Sequence, residues 1–320
     1  MTTNSKQQKA ILITGGCGYL GSQLIRDIES NPDLDLNIRI LDNMQSKNYQ
    51  ALMNLKGEGK YHFIKGDILD PAIVAYALEG VELVIHLAAI VKTPMSFENQ
   101  TWVQQVNHWG TAGLIESCLD AGVRKFIYAS SAAVYGPGGP FNESDVCRPF
   151  GAYAQSKHRA ERSVLTAVNR GLTPIVLRFG TLYGYAPSMR FNAVANRFAY
   201  LAGSKRSLVV FGQGDQVRPF VHVRDASTAV QFCINQFDQY SGEIFNIVGS
   251  NASILDLVRA VQSSLPDVGV RYTEQDVLTH LSIMVNNEKA LGWGWNPQYS
   301  LVDGLSEIIK KFSGLEGAYY

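Results

Sequence analysis

The sequence predicts a doubly wound α/β fold, a parallel sheet covered by helices on both faces, and three observations carry that prediction. Short apolar runs alternate with longer amphipathic ones through the first half of the chain, the pattern of strands joined by crossover helices. The first run, Ala10–Ile13, leads into the glycine-rich turn Thr14-Gly15-Gly16-Cys17-Gly18-Tyr19-Leu20-Gly21, which opens the amphipathic stretch Tyr19–Glu29. The second run, Asn37–Leu41, ends in Asp42, 21 residues after Gly21. A strand, a glycine turn and a helix in that order aim backbone N–H groups and the positive end of a helix dipole at one point, which suits a phosphate. Gly15 would allow the tight turn, Gly18 would let backbone approach a pyrophosphate, and Gly21 would let the helix pack close on the strand. A carboxylate at Asp42 falls where such a fold holds the adenosine ribose of a dinucleotide.

The remaining elements follow in order. Asn43-Met44-Gln45 comes after Asp42 with no arginine, which favours NAD over its 2′-phosphorylated form; an aspartate opening a turn is the plainer reading of the same residue. Tyr61–Lys65 is the third strand, and beyond it Asp70 reads as a helix N-cap with Pro71 at the first helical position. Leu83–His86 is the fourth strand, leaving through His86-Leu87-Ala88-Ala89, where small alanines let backbone run close to a ligand and His86 reads as a structural residue. Gln100–Ala121 is a long helical segment and Lys125–Ala129 the fifth strand. The glycine turn, Asp42, Ala88-Ala89 and Ser130-Ser131 thus all follow the carboxyl ends of strands, where ligands of open parallel sheets bind.

Composition narrows the function classes. The 320 residues suffice for a large core in two lobes, and 46% are hydrophobic. Lys+Arg and Asp+Glu balance at 28 each, so no global charge favours nucleic acid or an anionic membrane, and an anionic ligand needs a local site. The polar stretch Met1–Lys9 lacks a signal-peptide pattern and no apolar run spans a bilayer, so a cytoplasmic protein is expected. Cys17, Cys118, Cys147 and Cys233 show neither metal spacing nor a disulfide pattern, so no metal is expected, and Cys17 reads as a small filler in its turn.

The chemistry follows the fifth strand. Ser130-Ser131-Ala132-Ala133-Val134-Tyr135-Gly136 precedes a helix that opens with Gly151-Ala152-Tyr153-Ala154-Gln155-Ser156-Lys157 and runs to about Asn169. Tyr153 and Lys157 stand four apart and share a helix face. A tyrosine titrates near pH 10, so as a base near pH 7 it needs a shift of about three units, or about 4 kcal/mol. A lysine one turn away and a positive nicotinamide both favour the phenolate. A serine would hydrogen-bond the substrate oxygen that loses or gains the proton.

These residues resemble the extended short-chain dehydrogenase/reductases, specifically the NAD-dependent epimerase/dehydratase group. The resemblance rests on the glycine turn, Gly66-Asp67-Ile68, His86-Leu87-Ala88-Ala89, Val106-Asn107, Ser130-Ser131 with Val134-Tyr135-Gly136, and Tyr153 with Lys157. It continues through Leu177-Arg178-Phe179, Leu182-Tyr183-Gly184, Arg218-Pro219-Phe220-Val221-His222-Val223-Arg224-Asp225 and Gly294-Trp295-Asn296-Pro297. It implies a Rossmann-type sheet with a smaller C-terminal substrate lobe, NAD as cofactor, a nucleotide-sugar substrate, and a homodimer paired through the helices at 100–121 and 153–169. It implies Ser131, Tyr153 and Lys157 as catalytic residues, with Lys157 also on the nicotinamide ribose. Cofactor contacts are implied for Gly15, Gly18, Tyr19, Leu20, Asp42, Asn43, Asp67, Ile68, Leu87, Ala88, Ala89 and Asn107 besides Tyr153 and Lys157. Substrate contacts are expected from Lys92, Ser131, Thr181, Arg190, Asn192 and Arg218.

Departures from the family pattern bear on the reaction. The family's 4,6-dehydratases carry Asp and Glu after the catalytic hydroxyl; Ala132 and Ala133 stand there, and alanine transfers no proton. Thr181 replaces an asparagine common in UDP-sugar epimerases, and Leu281–Asn286 lacks an arginine usual on a phosphate, for which Arg190 and Asn192 are the candidate substitutes. Residues 1–179 are assigned to the NAD-binding domain, with later returns near 219–248, and 180–320 mostly to the substrate lobe. Phe191, Phe198, Tyr200 and Phe211 are expected in its core. The expected activity is an NAD-dependent nucleotide-sugar 4-epimerase working through a ketosugar. A ketosugar reductase or dehydrogenase, a non-4,6 dehydratase, and a dinucleotide-sensing regulatory protein are the alternatives.

Overall fold

A computed structural model describes residues 10–57, 59–91, 99–274 and 282–314. The chain divides into two compact units. The first comprises residues 1–129, 151–176 and 230–243, and the second 130–150, 177–229 and 244–320.

Strands β1 (Ala10–Thr14), β2 (Asn37–Asp42), β3 (Tyr61–Lys65), β4 (Val81–His86) and β5 (Lys125–Ser131) form most of the large sheet. With β7 (Thr173–Phe179) and β11 (Ile244–Ile247) the order is β11-β7-β5-β4-β1-β2-β3. Pairing is parallel between β1 and β2, β1 and β4, β2 and β3, and β4 and β5. The order runs outward in one direction from β1 through β2 and β3, and in the other through β4 and β5, so the direction of winding reverses between β1 and β4. A ligand crevice opens at such a switch point. Helices α1 (Tyr19–Ser30), α2 (Pro71–Leu78), α3 (Gln100–Gln104), α4 (Gly110–Asp120) and α5 (Gly151–Thr166) belong to this unit. Leu20, Leu24, Ile25 and Ile28 give α1 its buried face. Asp70 caps α2, accepting from the amides of Ala72 and Ile73, with Pro71 in the first turn as expected.

One departure from regularity matters. The segment expected as a single helix from Gln100 is interrupted at Gln105–Trp109 by a π-helical turn that contains Asn107. Polar patterning does not encode such a turn; what marks it is a side chain held by tertiary contacts.

Among the described residues, the second unit holds three small sheets. β8 (Thr181–Tyr183), β10 (Val217–His222) and β12 (Ser250–Ser253) form one, β9 (Leu208–Phe211) pairs with β13 (Val270–Thr273), and β6 (Gly138–Phe141) pairs with β14 (Ile283–Val285). Within the stretch 219–248, from which returns to the large sheet are expected, Ile244–Ile247 joins it. Pro219–His222 instead pairs parallel to β8 and antiparallel to β12. An apolar run announces a strand but not its partner, which distant residues choose.

Helices α6 (Val194–Gly203), α7 (Val223–Asn235), α8 (Phe237–Tyr240), α9 (Ile254–Gln262), α10 (Glu288–Trp293) and α11 (Leu301–Phe312) follow in chain order. The second unit's core joins Phe198 and Ala199 of α6, Phe220 of β10, Leu257 and Val261 of α9, and Leu305 and Ile308 of α11. Of the four aromatics expected there, Phe198 is fully buried and Tyr200 and Phe211 half-buried. Phe191 is 41% exposed, its ring meeting Tyr200 and Phe312 edge-on at the margin.

Two motif pairs tie this unit together. The Arg178 guanidinium donates to the Tyr135 hydroxyl at 2.8 Å, and that hydroxyl donates to Asn246 Oδ1 at 2.7 Å. The Asp225 carboxylate accepts from the amides of Gln298 and Tyr299, while the Trp295 indole donates to the Asp225 carbonyl. Among the described residues, no helix is long and apolar enough to cross a membrane.

Leu305→Ala removes a fully buried side chain from α11 in this core. It should cost about 2–5 kcal/mol, seen as a lower urea midpoint at unchanged helix content.

Candidate active site

The first unit brings most of the expected cofactor residues to the carboxyl ends of β1, β2 and β4. Gly15 has φ +69°, and a Cβ built there would lie 2.6 Å from the Ala88 amide nitrogen. The glycine turn and the Leu87-Ala88-Ala89 segment therefore run backbone against backbone, and only glycine satisfies both the dihedral and the distance. A Cβ on Gly21 would lie 2.6 Å from the Gly16 Cα, so the third glycine seats α1 against the turn. Gly18, at the N-cap of α1, supplies no side-chain cap. The helix N-terminus suits an anion.

Asp42 closes this cradle on the β2 side. Its Oδ2 accepts from the Cys17 amide at 3.0 Å and its Oδ1 from the Met44 amide at 2.8 Å. The carboxylate thus makes the turn contact expected of an aspartate before Asn43 and also grips the glycine turn. Its two oxygens retain lone pairs for further donors such as ribose hydroxyls. Burial pushes its carboxyl up, against the lowering by those two amides. Cys17, buried beside it, is pushed up to about 12 by burial and then by Asp42. A thiol so placed is no nucleophile at neutral pH, in keeping with a filler role. Asn43 donates to Asp67 at 2.8 Å, and Asp67 accepts from the Leu69 amide. Ile68 packs its side chain over Gly110 of α4.

Asn107, in the π-helical turn, is 1% exposed. Its Oδ1 accepts from the Ile90 amide at 2.7 Å, and its Nδ2 donates to the Ile90 carbonyl and to Ser156 Oγ. Asn107 therefore ties the segment after β4 to α5, which carries Tyr153 and Lys157.

Lys157 is 4% exposed. Its Nζ donates to the Ala129 carbonyl at 2.7 Å and lies 4.9 Å from the Tyr128 ring centroid. Burial pushes the ammonium down to about 7, opposed by the Glu161 carboxylate on the same helix. Tyr153 is half-buried one turn earlier, and its carbonyl accepts from Ser156 Oγ at 2.7 Å. Sequence reading had no signal for Ser156 or Glu161; a polar residue at one helical turn from an apolar one looks like any solvated face.

Ser131, Thr181, Arg190, Asn192 and Arg218 lie in the second unit. Ser131 caps the short helical turn Ala132–Tyr135, its Oγ accepting from the Ala133 amide. Ala132 is 2% exposed and belongs to an apolar cluster with Val134, Tyr135, Val248 and Val285. Thr181 is half-buried at the start of β8, and Arg218 lies on β10, its guanidinium pushed down by burial. Arg190 donates to Asn192 Oδ1 at 2.8 Å, so these two candidates hold each other. Arg197, absent from the sequence reading, is a second cation pushed down by burial, 5.4 Å over the Phe211 ring. Lys92 lies outside the described residues. Among the described residues no group of His, Cys, Asp or Glu is arranged to hold a metal ion.

Comparison with known proteins bears on what this cradle holds. A model of the NAD-dependent epimerase/dehydratase family matches residues 11–248. The dTDP-D-glucose 4,6-dehydratase of Mus musculus is 30% identical, with 94% of this chain and 88% of that protein covered. The crystal structure of UDP-glucose 4-epimerase from Thermotoga maritima with UDP-glucose superposes with a TM-score of 0.84 at 25% identity, covering 95% of this chain and 98% of the other. DesIV, the dTDP-glucose 4,6-dehydratase of Streptomyces venezuelae with NAD and TYD bound, gives 0.85 at 26% identity over 94% and 96%. The glycine positions where a Cβ would collide, the uncapped helix N-terminus and the Asp42 carboxylate fit a dinucleotide.

The buried Lys157 sets a pH dependence. An ordinary lysine titrates near 10.5, and the fold lowers this one to about 7, so between those values the unfolded chain binds more protons than the folded one. Stability of the dinucleotide-free protein should therefore rise with pH across that window through this group. In urea unfolding, the advantage of Lys157→Met over the parent should shrink as pH rises from about 7 towards 10. A gap constant with pH would mean the ammonium is not desolvated as described.

Proposed function

Since the chain belongs to the NAD-dependent epimerase/dehydratase family, with NAD as its cofactor, we propose that it is a nucleotide-sugar 4-epimerase. The observation that carries epimerisation over 4,6-dehydration is the pair Ala132-Ala133 after Ser131. Loss of water from a 4-ketosugar across C5 and C6 needs a group to take the C5 proton and another to protonate the departing oxygen. Ala132 sits in an apolar cluster, and neither alanine transfers a proton.

In this reading Gly15, Gly18, Tyr19, Leu20, Asp42, Asn43, Asp67, Ile68 and Leu87–Ala89 hold the dinucleotide, with Asn107 beside it. NAD held there would supply reversible hydride transfer at C4 of the sugar. Tyr153 takes the proton of the C4 hydroxyl as base and restores it as acid. Lys157 favours the phenolate by its charge and binds the nicotinamide ribose. Ser131 hydrogen-bonds the C4 oxygen, orienting it toward the phenol. Arg218, with Thr181, Arg190 and Asn192, contributes to the nucleotide-sugar grip, which makes the second unit the substrate lobe.

A net ketosugar reductase would use the same Tyr153 and Lys157 and differs in exchanging its dinucleotide between turnovers. A dinucleotide sensor needs neither residue. The reading includes a homodimer paired through the helices at 100–121 and 153–169.

The test is mass spectrometry of small molecules released on denaturing the purified protein, joined to an epimerisation assay on nucleotide sugars. About one NAD per chain and interconversion of two C4 epimers are expected. An empty protein that consumes added NADH stoichiometrically would favour the reductase. Tyr153→Phe should retain NAD yet lose roughly a hundred- to ten-thousandfold in turnover; turnover near the parent value would remove Tyr153 from the mechanism.

A further inference from the structure

Asn107 is also the end of a line of buried hydrogen bonds for which the roles above have no use. Thr14 Oγ1 at the carboxyl end of β1 lies 2.7 Å from His86 Nδ1, and His86 Nε2 lies 2.9 Å from Thr111 Oγ1 on α4. Thr111 Oγ1 donates to the Asn107 carbonyl at 2.7 Å. Asn107 Nδ2 donates to Ser156 Oγ at 3.0 Å, and Ser156 Oγ donates to the Tyr153 carbonyl at 2.7 Å. Thr14, His86, Asn107, Thr111 and Ser156 are each no more than 1% exposed.

Counting protons fixes the direction of every bond. Thr111 has one hydroxyl hydrogen, and the Asn107 carbonyl takes it, so toward His86 that oxygen accepts. His86 Nε2 therefore carries hydrogen. Nδ1 is then the bare nitrogen and accepts the Thr14 hydroxyl hydrogen. Thr14 Oγ1 in turn accepts from the Ala88 amide at 3.4 Å. The Asn107 amide is fixed by the same logic, since its oxygen faces the Ile90 amide and its nitrogen the Ile90 carbonyl. Between the Ala88 amide and the Asn107 carbonyl, the line starts at a backbone N–H and ends at a backbone C=O, and neither group relays a proton at neutral pH. The line holds geometry and does not conduct.

We propose that His86, as a neutral imidazole locked in the Nε2–H tautomer, is a positioning residue. Through Thr111 it braces the π-helical turn of Asn107, and through Ser156 it fixes the backbone of Tyr153 relative to the glycine turn. At a π turn the regular i→i+4 ladder is broken, and the Thr111 hydroxyl supplies a donor to the Asn107 carbonyl there. The Phe126 and Tyr128 rings of β5 lie 5.9 and 5.8 Å from the imidazole and keep water from it, and the Lys157 ammonium opposes its protonation from α5. Burial first, and Lys157 second, push the imidazole down to about 3.

The kinetic part of the proposal rests on Tyr153 as the base; the tautomer does not. The experiment therefore has two arms on the full chain. Nitrogen-15 NMR of labelled histidine should show His86, assigned by its loss in His86→Gln or, if that chain does not fold, by its shift in Thr111→Val, as the Nε2–H tautomer. It should stay neutral and in that tautomer from about pH 6 to 9. In the kinetic arm Thr111→Val, which keeps shape but loses the hydroxyl, should lower kcat roughly ten- to a hundredfold at unchanged KM and NAD content. Thr111→Ser should restore it. A titrating His86, or the Nδ1–H tautomer, overturns the proposal whatever the activity. So does a folded Thr111→Val protein with parental kcat, or one whose only defect is a lower Tm. If the parent turns over no nucleotide sugar, the 4-epimerase reading fails and the NMR arm alone decides the brace.

Discussion

The close approach of two backbones at the switch point between β1 and β4 is the constraint on which the first unit depends. Gly15 and Ala88 come together so tightly that no side chain fits on the glycine. That approach follows from the parallel pairing of β1 with β4, register Thr14 to His86, which delivers the two loops to the same edge. Asp42 then joins from β2 by accepting from the Cys17 amide. Three loops from three strands are thereby fixed before any ligand arrives, and preorganisation of this kind lowers the entropic cost of binding.

Three polar side chains beneath that crevice are held by buried hydrogen bonds. Asn107 uses its oxygen and both amide hydrogens, Lys157 is held by the Ala129 carbonyl, and His86 uses both ring nitrogens. Buried polar groups are costly unless paired, so these side chains have few alternative arrangements. The penalty that remains is electrostatic: the Lys157 ammonium is desolvated, relieved by Glu161 and the Tyr128 ring.

In the second unit, several motifs that make the chain resemble its family touch one another. Tyr135 and Arg178 share a hydrogen bond and a cation–π contact at 4.8 Å, and Asp225 accepts from the amides of Gln298 and Tyr299 while its carbonyl takes the Trp295 indole. These residues maintain the fold. A motif spent on holding the fold marks the family and says little of the sugar.

What the sequence determined by itself is local. Alternating apolar runs, a glycine turn and an aspartate cap are short-range features, and the first five strands, the α2 cap and the Tyr153–Lys157 helix emerged within a few residues of expectation. The tertiary structure alone decided what depends on residues far apart in the chain: the pairing of Pro219–His222 outside the large sheet, the π turn at Asn107, the exposure of Phe191, and the buried line through His86, Thr111 and Ser156. A threonine or serine on a helix carries no mark of whether it will be solvated or sealed under a sheet. Only packing removes the water, and only then does a hydroxyl's single hydrogen dictate the tautomer of a histidine 25 residues away.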